Sequence, residues 1–300
     1  MTTEYKTQKP KAPAGRPIHK PSRLTEKSLT AKITAIVTVV LTSILILFPL
    51  YWLSVTSLKS ETEIFRIPPT VVPDLLTWEN HQFAWTQTQI PTYFLNSLGY
   101  VGGTLLVVLT CASLVSYSMS RFRFRGKGVY LVIILLTQLM PLTTLIVPLY
   151  VTFGSLGLMN NRLAIITVYS AIQIPIATWL LLGYFNSIPS EIDEAARIDG
   201  CSNLGILLRI VLPLAKPGLM AVSISVVISI WQELMLAITF INVDHLRPLM
   251  AGVSASITRA GIKWGQMTAT GVIACVPIIL IYIFLQRYLV EGLTGGAVKG

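Results

Sequence analysis

Charge is scarce in this 300-residue chain: Asp, Glu, Lys and Arg together make up 12% of it. Soluble domains carry about a quarter, so a water-solvated globule is excluded. Acid is scarcer than base, 13 residues against 23, and only Glu233 falls inside a long apolar run. Cysteine is limited to Cys111, Cys201 and Cys275. None has a paired metal-ligand spacing and two lie in apolar runs, so neither a zinc site nor a disulfide framework is expected. No G-x-x-x-x-G-K-[ST] occurs, which removes that route to cradling ATP phosphates. Neither H-E-x-x-H nor G-x-S-x-G occurs, so no catalytic constellation stands out. His245 stands alone, without a ligand set, and is expected at the surface. Strand-like alternation is absent, which leaves helices as the way to satisfy backbone groups in lipid.

What the chain does have is apolar length. Hydrophobic residues make up 53%, gathered into six runs at about 33–55, 94–119, 129–152, 163–185, 219–241 and 268–288. Each approaches or exceeds the ~20 residues that span a bilayer. The expected fold is an all-α integral membrane protein of six transmembrane helices. Pro49, Pro141, Pro148, Pro175 and Pro277 fall inside these runs, where each removes a backbone hydrogen bond and can kink a helix.

The net charge of +10 does not indicate nucleic acid, because the cations are distributed by loop. Eight lie within 1–32, four within 120–128 (Arg121, Arg123, Arg125, Lys127), three within 186–218 and two near the C-terminus; the alternate loops share six. The positive-inside rule then places both termini and the 186–218 loop in the cytoplasm. Four segments follow. Residues 1–32 are a disordered, proline-rich basic tail whose charge fixes topology and which can meet anionic membrane lipid. Residues 33–93 are the first span and an outer loop. Residues 94–288 are a core of five spans with a polar loop at 190–217, and 289–300 are a cytoplasmic tail.

The 190–217 loop is helix-forming. Ser190 is the expected N-cap, with Glu191, Asp193 and Glu194 in the first turn. These acids and Asp199 are expected to form a solvated face. Gly200 stops or bends the helix, and a second helix at about 204–212 ends before Pro213. Ala195 and Ala196 leave a small, flat surface, and Glu194 a charge, for a partner's groove. Within the spans, Glu233, Trp231, Gln138 and Gln173 either line a polar path, with Trp231 stacking on a hydroxyl-rich solute, or bond helix to helix. The outer loop at about 56–93 carries Trp78, Phe83, Trp85 and Tyr93 and suits the membrane interface. The loop at about 242–267 has polar ends and a small-residue middle.

The spacing Glu194-Ala195-Ala196-x3-Gly200-x9-Ile210-x-Leu212-Pro213, with Asp199 inside it, resembles the EAA loop of permease subunits of binding-protein-dependent ABC importers. Phe48-Pro49-Leu50-Tyr51-Trp52, Ser57-Leu58-Lys59, Asn96-Ser97, Pro148-Leu149-Tyr150, Leu156-Gly157-Leu158, Trp231-Gln232-Glu233 and the tail from Gly292 to Gly300 extend the likeness to the carbohydrate branch, similar to the second permease subunit of maltose-type transporters. Gln232 stands where an Asn is expected. The resemblance implies a type I importer permease fold in a bacterial cytoplasmic membrane. It implies a heterodimer with a second permease subunit, two ATPase subunits that bind ATP and Mg, and an extracytoplasmic solute-binding protein. It implies no cofactor and no catalysis in this chain. It makes Glu194, Ala195, Ala196, Asp199, Gly200, Ile210, Leu212 and Pro213 the ATPase-coupling set. It turns the fifth loop, through Ala251, Gly252, Ser254, Arg259 and Lys263, toward the binding protein. The alternatives are an importer of another small polar solute or a secondary transporter, which would need midplane ion sites and internal repeats. The absent phosphate loop predicts that the chain purified without partners shows no saturable ATP binding; titration with labelled nucleotide checks this, and binding in the micromolar range contradicts it.

Overall fold

The computed structural model describes the backbone of residues 29–260 and 263–295, and the side chains of 30–254 and 263–284. The basic tail expected over 1–32 lies outside these residues up to 28, as does the C-terminal tail beyond 295. No strand occurs among the described residues. The helices are α1 (Leu29–Ser57), α2 (Glu61–Ile64), α3 (Glu79–Thr86), α4 (Ile90–Arg121), α5 (Lys127–Gln138), α6 (Leu142–Ser155), α7 (Arg162–Ser187) and α8 (Ser190–Ile198). They continue with α9 (Asn203–Ile206), a π turn (Leu207–Val211), α10 (Leu212–Leu214), α11 (Lys216–Trp231), α12 (Met235–Phe240), a 3-10 turn (Asp244–Leu246), α13 (Leu249–Ala260) and α14 (Trp264–Gly295). The C-terminal tail expected from 289 is thus helical through Gly295.

Among the described residues, helices α1, α4, α7 and α14 are long and apolar enough to cross a membrane, and counting each of two bent pairs as one span gives up to six. The third expected span is one of these pairs: α5 and α6 meet at 93°. Pro141 sits at the break with φ −61° and ψ 128°; it has no amide to donate and disfavours helix at the residue before it. Pro49, Pro148, Pro175 and Pro277 lie inside continuous helices. The fifth expected span also changes. It stops at Trp231, and α12 resumes at Met235.

The chain divides into two units after Leu50. In the first, every side chain from Thr30 to Leu50 is exposed, Leu45 at 74%. A helix that is apolar all round needs lipid or protein about it. In the second, α4 and α7 form the central pair, and they run parallel. Arg162 Nη2 donates to Asn96 Oδ1 (2.8 Å) where both helices start. Ser116 Oγ donates to Thr178 O (2.9 Å), and Ser120 Oγ to Asn186 Oδ1 (2.8 Å) where both end. Parallel neighbours oblige the chain between them to travel back along their length, and α5 and α6 do so. Helix α11 runs the opposite way: Gly218 lies on the Tyr184 ring at one end, and Phe94 meets Trp231 edge-on (5.5 Å) at the other. Helix α14 closes the bundle, with Trp231 Nε1 donating to Ala274 O (3.0 Å).

At the end where α4 starts, polar side chains hold loop backbone. Asn96 Nδ2 donates to His245 O (2.8 Å) and Arg247 O (3.0 Å), and the Tyr100 hydroxyl to Leu246 O (2.8 Å). Ser97 Oγ accepts the Leu249 amide (2.8 Å). In the first loop Asn80 Nδ2 donates to Ser57 O (3.1 Å) and Lys59 O (2.8 Å). The buried Lys59 ammonium bonds Thr70 O and lies over the Trp52 ring. The Asp74 amide, then the Thr70 hydroxyl, hold the Glu63 carboxyl below the usual range. Trp78 and Trp85 are exposed.

The small-residue stretch of the fifth loop is not an open loop. It is helix α13, and Ala251 and Gly252 are buried on the bundle. The reason is close approach: a Cβ at Gly252 would lie 2.1 Å from Tyr93 Cδ2. Alanine normally favours a helix over glycine by about 1 kcal/mol. At Gly252 the sign is expected to reverse: Gly252→Ala lowers stability by about 1–3 kcal/mol, the range of overpacking, read as a lower thermal midpoint of the detergent-purified protein.

Candidate functional site

At the opposite end of the bundle the polar loop forms a helix, a corner and a second helix. The chain leaves α7 through Ile188 (φ −85°, ψ 123°) and Pro189 (φ −57°, ψ 136°), both extended. Pro189 takes the cap position, so Ser190 is the first helical residue and makes no cap bond. Gly200 has φ +85°. Its amide donates to Arg197 O (3.0 Å) and the Cys201 amide to Ala196 O (2.9 Å). This crossed pair of bonds ends a helix on a left-handed residue, where glycine carries no Cβ penalty. Ser202 caps α9 through the Gly205 amide (3.2 Å). The second helix runs on past its expected end, through Pro213 to Leu214. It does so over the π turn, where the Leu212 amide reaches Leu207 O. The wider turn eases the clash between a proline ring and the carbonyl four residues back.

One face of this loop is packed and the other is bare. Ala196, Ile206, Leu207, Val211 and Ala215 are buried with Tyr117 and Phe185. Glu194, Ala195, Asp199, Gly200 and Pro213 are exposed, as are Ile198 (88%), Leu204 (56%) and Leu208 (55%). Asp193 faces inward and is no part of a solvated face. Its Oδ2 accepts Arg121 Nε (2.9 Å) and the Tyr117 hydroxyl (3.2 Å), and the Arg121 and Asp193 side chains are 7% and 2% exposed.

A second polar feature lies in the bundle. A cavity of about 190 Å³ is lined by Tyr169, Gln173, Ser229, Gln232 and Glu233, with apolar walls from Leu142 and Ile172. Glu233 sits in the break between α11 and α12. Its Oε1 accepts the Leu236 amide (2.7 Å), and its Oε2 accepts the Ala237 amide (3.1 Å) and the Tyr169 hydroxyl (2.8 Å). A carboxylate that takes the first amides of a new helix competes with continuation of the old one.

The family model described as "Binding-protein-dependent transport system inner membrane component" matches residues 109–295. The chain belongs to this family. A "Probable ABC transporter permease protein YurM" of Bacillus subtilis is 36% identical over 86% of this chain and 85% of its own length. The "Sulfoquinovosyl glycerol transport system permease protein SmoH" of Agrobacterium fabrum is 31% identical over 85% of this chain and 89% of its own. The "Trehalose/maltose transport system permease protein MalG" of Thermococcus litoralis is 31% identical over 90% and 97%. A crystal structure of a bacterial ABC transporter involved in the import of the acidic polysaccharide alginate superposes with a TM-score of 0.78 at 23% identity, over 87% of this chain and 98% of that one. The fold is therefore that of a type I importer permease, and the protein is an inner membrane component rather than an enzyme.

The permease separates residues that its sequence groups together. Of the coupling set, Glu194, Ala195, Asp199, Gly200 and Pro213 face outward, Ile210 and Leu212 are half-buried, and Ala196 is packed inside. The flat Ala195-Ala196 surface is thus split, because consecutive helical residues point about 100° apart. Of the path set, Gln173 and Glu233 share the cavity. Trp231 is 3% exposed, with its indole N–H spent on Ala274 and its ring on Phe94, so it offers no face to a solute. Gln138 is exposed at the end of α5 and does not line the cavity. Of the fifth-loop set, Ala251 and Gly252 are buried, Ser254 is half-buried and Lys263 is exposed; the Arg259 side chain lies outside the described residues. Sequence reasoning missed the bare Ile198, Leu204 and Leu208, although apolar residues flanking a glycine corner in a polar loop are a signal. It also missed Arg121, which sits in sequence among three other cations. The cap geometry predicts that Glu233→Ala destabilises the permease by about 1–3 kcal/mol, through a lost cap and an orphaned buried hydroxyl. Glu233→Gln keeps an acceptor and should stay within about 1 kcal/mol of the parent, as measured by thermal unfolding in detergent.

Proposed function

We propose that this permease is one of two membrane subunits of an ATP-driven importer for a sugar or oligosaccharide, and that the Ser190–Leu214 loop couples it to a separate ATPase. The observation that carries the coupling role is the loop's two-faced build. An acid, a small residue and three apolar side chains stand bare on an element whose other face is locked into the bundle. Exposed apolar side chains beside a polar rim suit a protein partner. Glu194 supplies charge, Ala195 allows close seating, and Gly200 sets the corner. ATP and Mg belong to the partner ATPase subunits in this reading.

The solute class is supported by relatives whose names include trehalose/maltose, diacetylchitobiose and arabinooligosaccharides. The Tyr169, Gln173, Ser229, Gln232 and Glu233 cavity adds hydrogen-bonding groups inside an apolar bundle, which suits a hydroxyl-rich solute. Seventeen of the 23 cations fall in the tails and in the two loops at the Arg121 end, which supports cytoplasmic termini and a cytoplasmic coupling loop. A crystal structure of a bacterial alginate ABC transporter in complex with an alginate pentasaccharide-bound periplasmic protein has the same fold (TM-score 0.64). In this chain the contact with such a binding protein falls to Ser254, Arg259 and Lys263, since Ala251 and Gly252 are taken up by packing.

The test is the whole transporter in proteoliposomes, assayed for ATP-driven uptake over a panel of glycosides. Glu194→Lys and Gly200→Asp should insert normally yet lose at least about tenfold in uptake, and should co-purify less ATPase. The first reverses a charge on the bare face, and the second puts a Cβ on a residue with φ > 0. Undiminished uptake by both variants would sink the coupling role, and uptake of no glycoside by the parent would sink the solute class.

A further inference from the structure

We propose that the buried Arg121–Asp193 pair is the joint through which the coupling loop pulls on the bundle, with Arg121 as the positioning residue; this rests on the coupling role given to the loop above. Arg121 is the last residue of α4, and Asp193 lies in the first turn of α8. The guanidinium touches three helices at once. Its Nε bonds Asp193 Oδ2 on α8 (2.9 Å), its Nη1 bonds Phe185 O on α7 (3.2 Å), and Nη1 also bonds Ser120 Oγ on α4 (3.3 Å). Ser120 Oγ in turn donates to Asn186 of α7. One side chain therefore ties the coupling helix to the ends of the central parallel pair.

The neighbouring Arg123 and Arg125 are exposed, as the topology-setting role of that segment requires. Arg121 is not, and taking an ion pair out of water carries a desolvation penalty that often outweighs its attraction. Apolar side chains would hold α8 on the bundle as well. What they do not supply is resistance to separation. The apolar cluster that holds Ala196, Phe185, Ile206 and Leu207 transmits a push, whereas a charge-assisted bond also transmits a pull. Asp193 adjoins Glu194 in sequence but faces the other way, so a load on the bare face reaches Arg121 through one helical turn.

The pair also has slack. Arg121 Nη2 and Asp193 Oδ1 are buried without a hydrogen-bond partner. These are the two atoms that a side-on, two-bond fork would join. A small shift of α8 along α4 can thus exchange one bond for two without breaking the contact.

The experiment uses the complete transporter in proteoliposomes and reads solute taken up per ATP hydrolysed, with hydrogen exchange over 190–198 in the same complex. Asp193→Asn should retain the ATPase subunits, since the bare face is untouched. It should lower solute per ATP about tenfold, a usual size for coupling between sites, and speed exchange in α8. Arg121→Lys, which keeps the charge and loses the fork, should fall between, and the exchanged pair Arg121→Asp with Asp193→Arg should recover part of the ratio. If Asp193→Asn fails to assemble, Arg121→Lys carries the same test. A parental ratio in the single variants, or a loss that neither the lysine variant nor the exchanged pair moderates, overturns the joint. Failure of the parent complex to couple hydrolysis to uptake would instead overturn the coupling role itself.

Discussion

The parallel packing of α4 against α7 is the constraint on which the rest of the bundle depends. Two adjacent helices running the same way cannot be linked by a short turn. The segment between them must recross the bundle, and here it does so as two half-length helices bent at Pro141. The pair is brought close by small residues, with Gly103 against Ile166, in line with how helices associate where no hydrophobic force separates lipid from side chain. Once α4 and α7 are fixed, α11 packs against both in the reverse sense, α14 closes on α11, and the two ends of the bundle acquire different chemistry.

Polar atoms within this apolar chain serve mainly to satisfy backbone that the helices leave open. Asn96, Ser97 and Tyr100 hold the 245–249 backbone, Asn80 holds the end of α1, and Glu233 holds the start of α12. Each stands where a helix ends or breaks, which is where unpaired amides and carbonyls gather. The same necessity explains why Glu233 interrupts the fifth span. A lone acid in an apolar run invites a functional reading, and its bonds show a structural duty first. The same cap fixes the carboxylate at the edge of the cavity that Glu233 borders with Gln173.

The two-faced build of the 190–214 loop follows from the same logic at the other end. Its inner face is decided by burial against Tyr117 and Phe185, and its outer face is what remains. The Asp193–Arg121 pair crosses that boundary, converting a solvent-facing pattern of acids into one inward anchor and several outward groups.

The chain itself determined the membrane class, the glycine corner and the family, because these rest on local composition and spacing. Helix length follows from apolar run length, and Gly200 reads as a left-handed stop in any context. Tertiary structure alone decided which of two adjacent alanines is bare, that Trp231 is spent on Ala274 and Phe94, that Ala251 and Gly252 serve packing, and that Arg121 meets Asp193. Each of these depends on packing against another element of the fold, as with Arg121 and Asp193, which lie 72 positions apart. Local pattern records that a residue is small, charged or aromatic. Only the approach of another helix determines whether that property faces lipid, a partner or the interior.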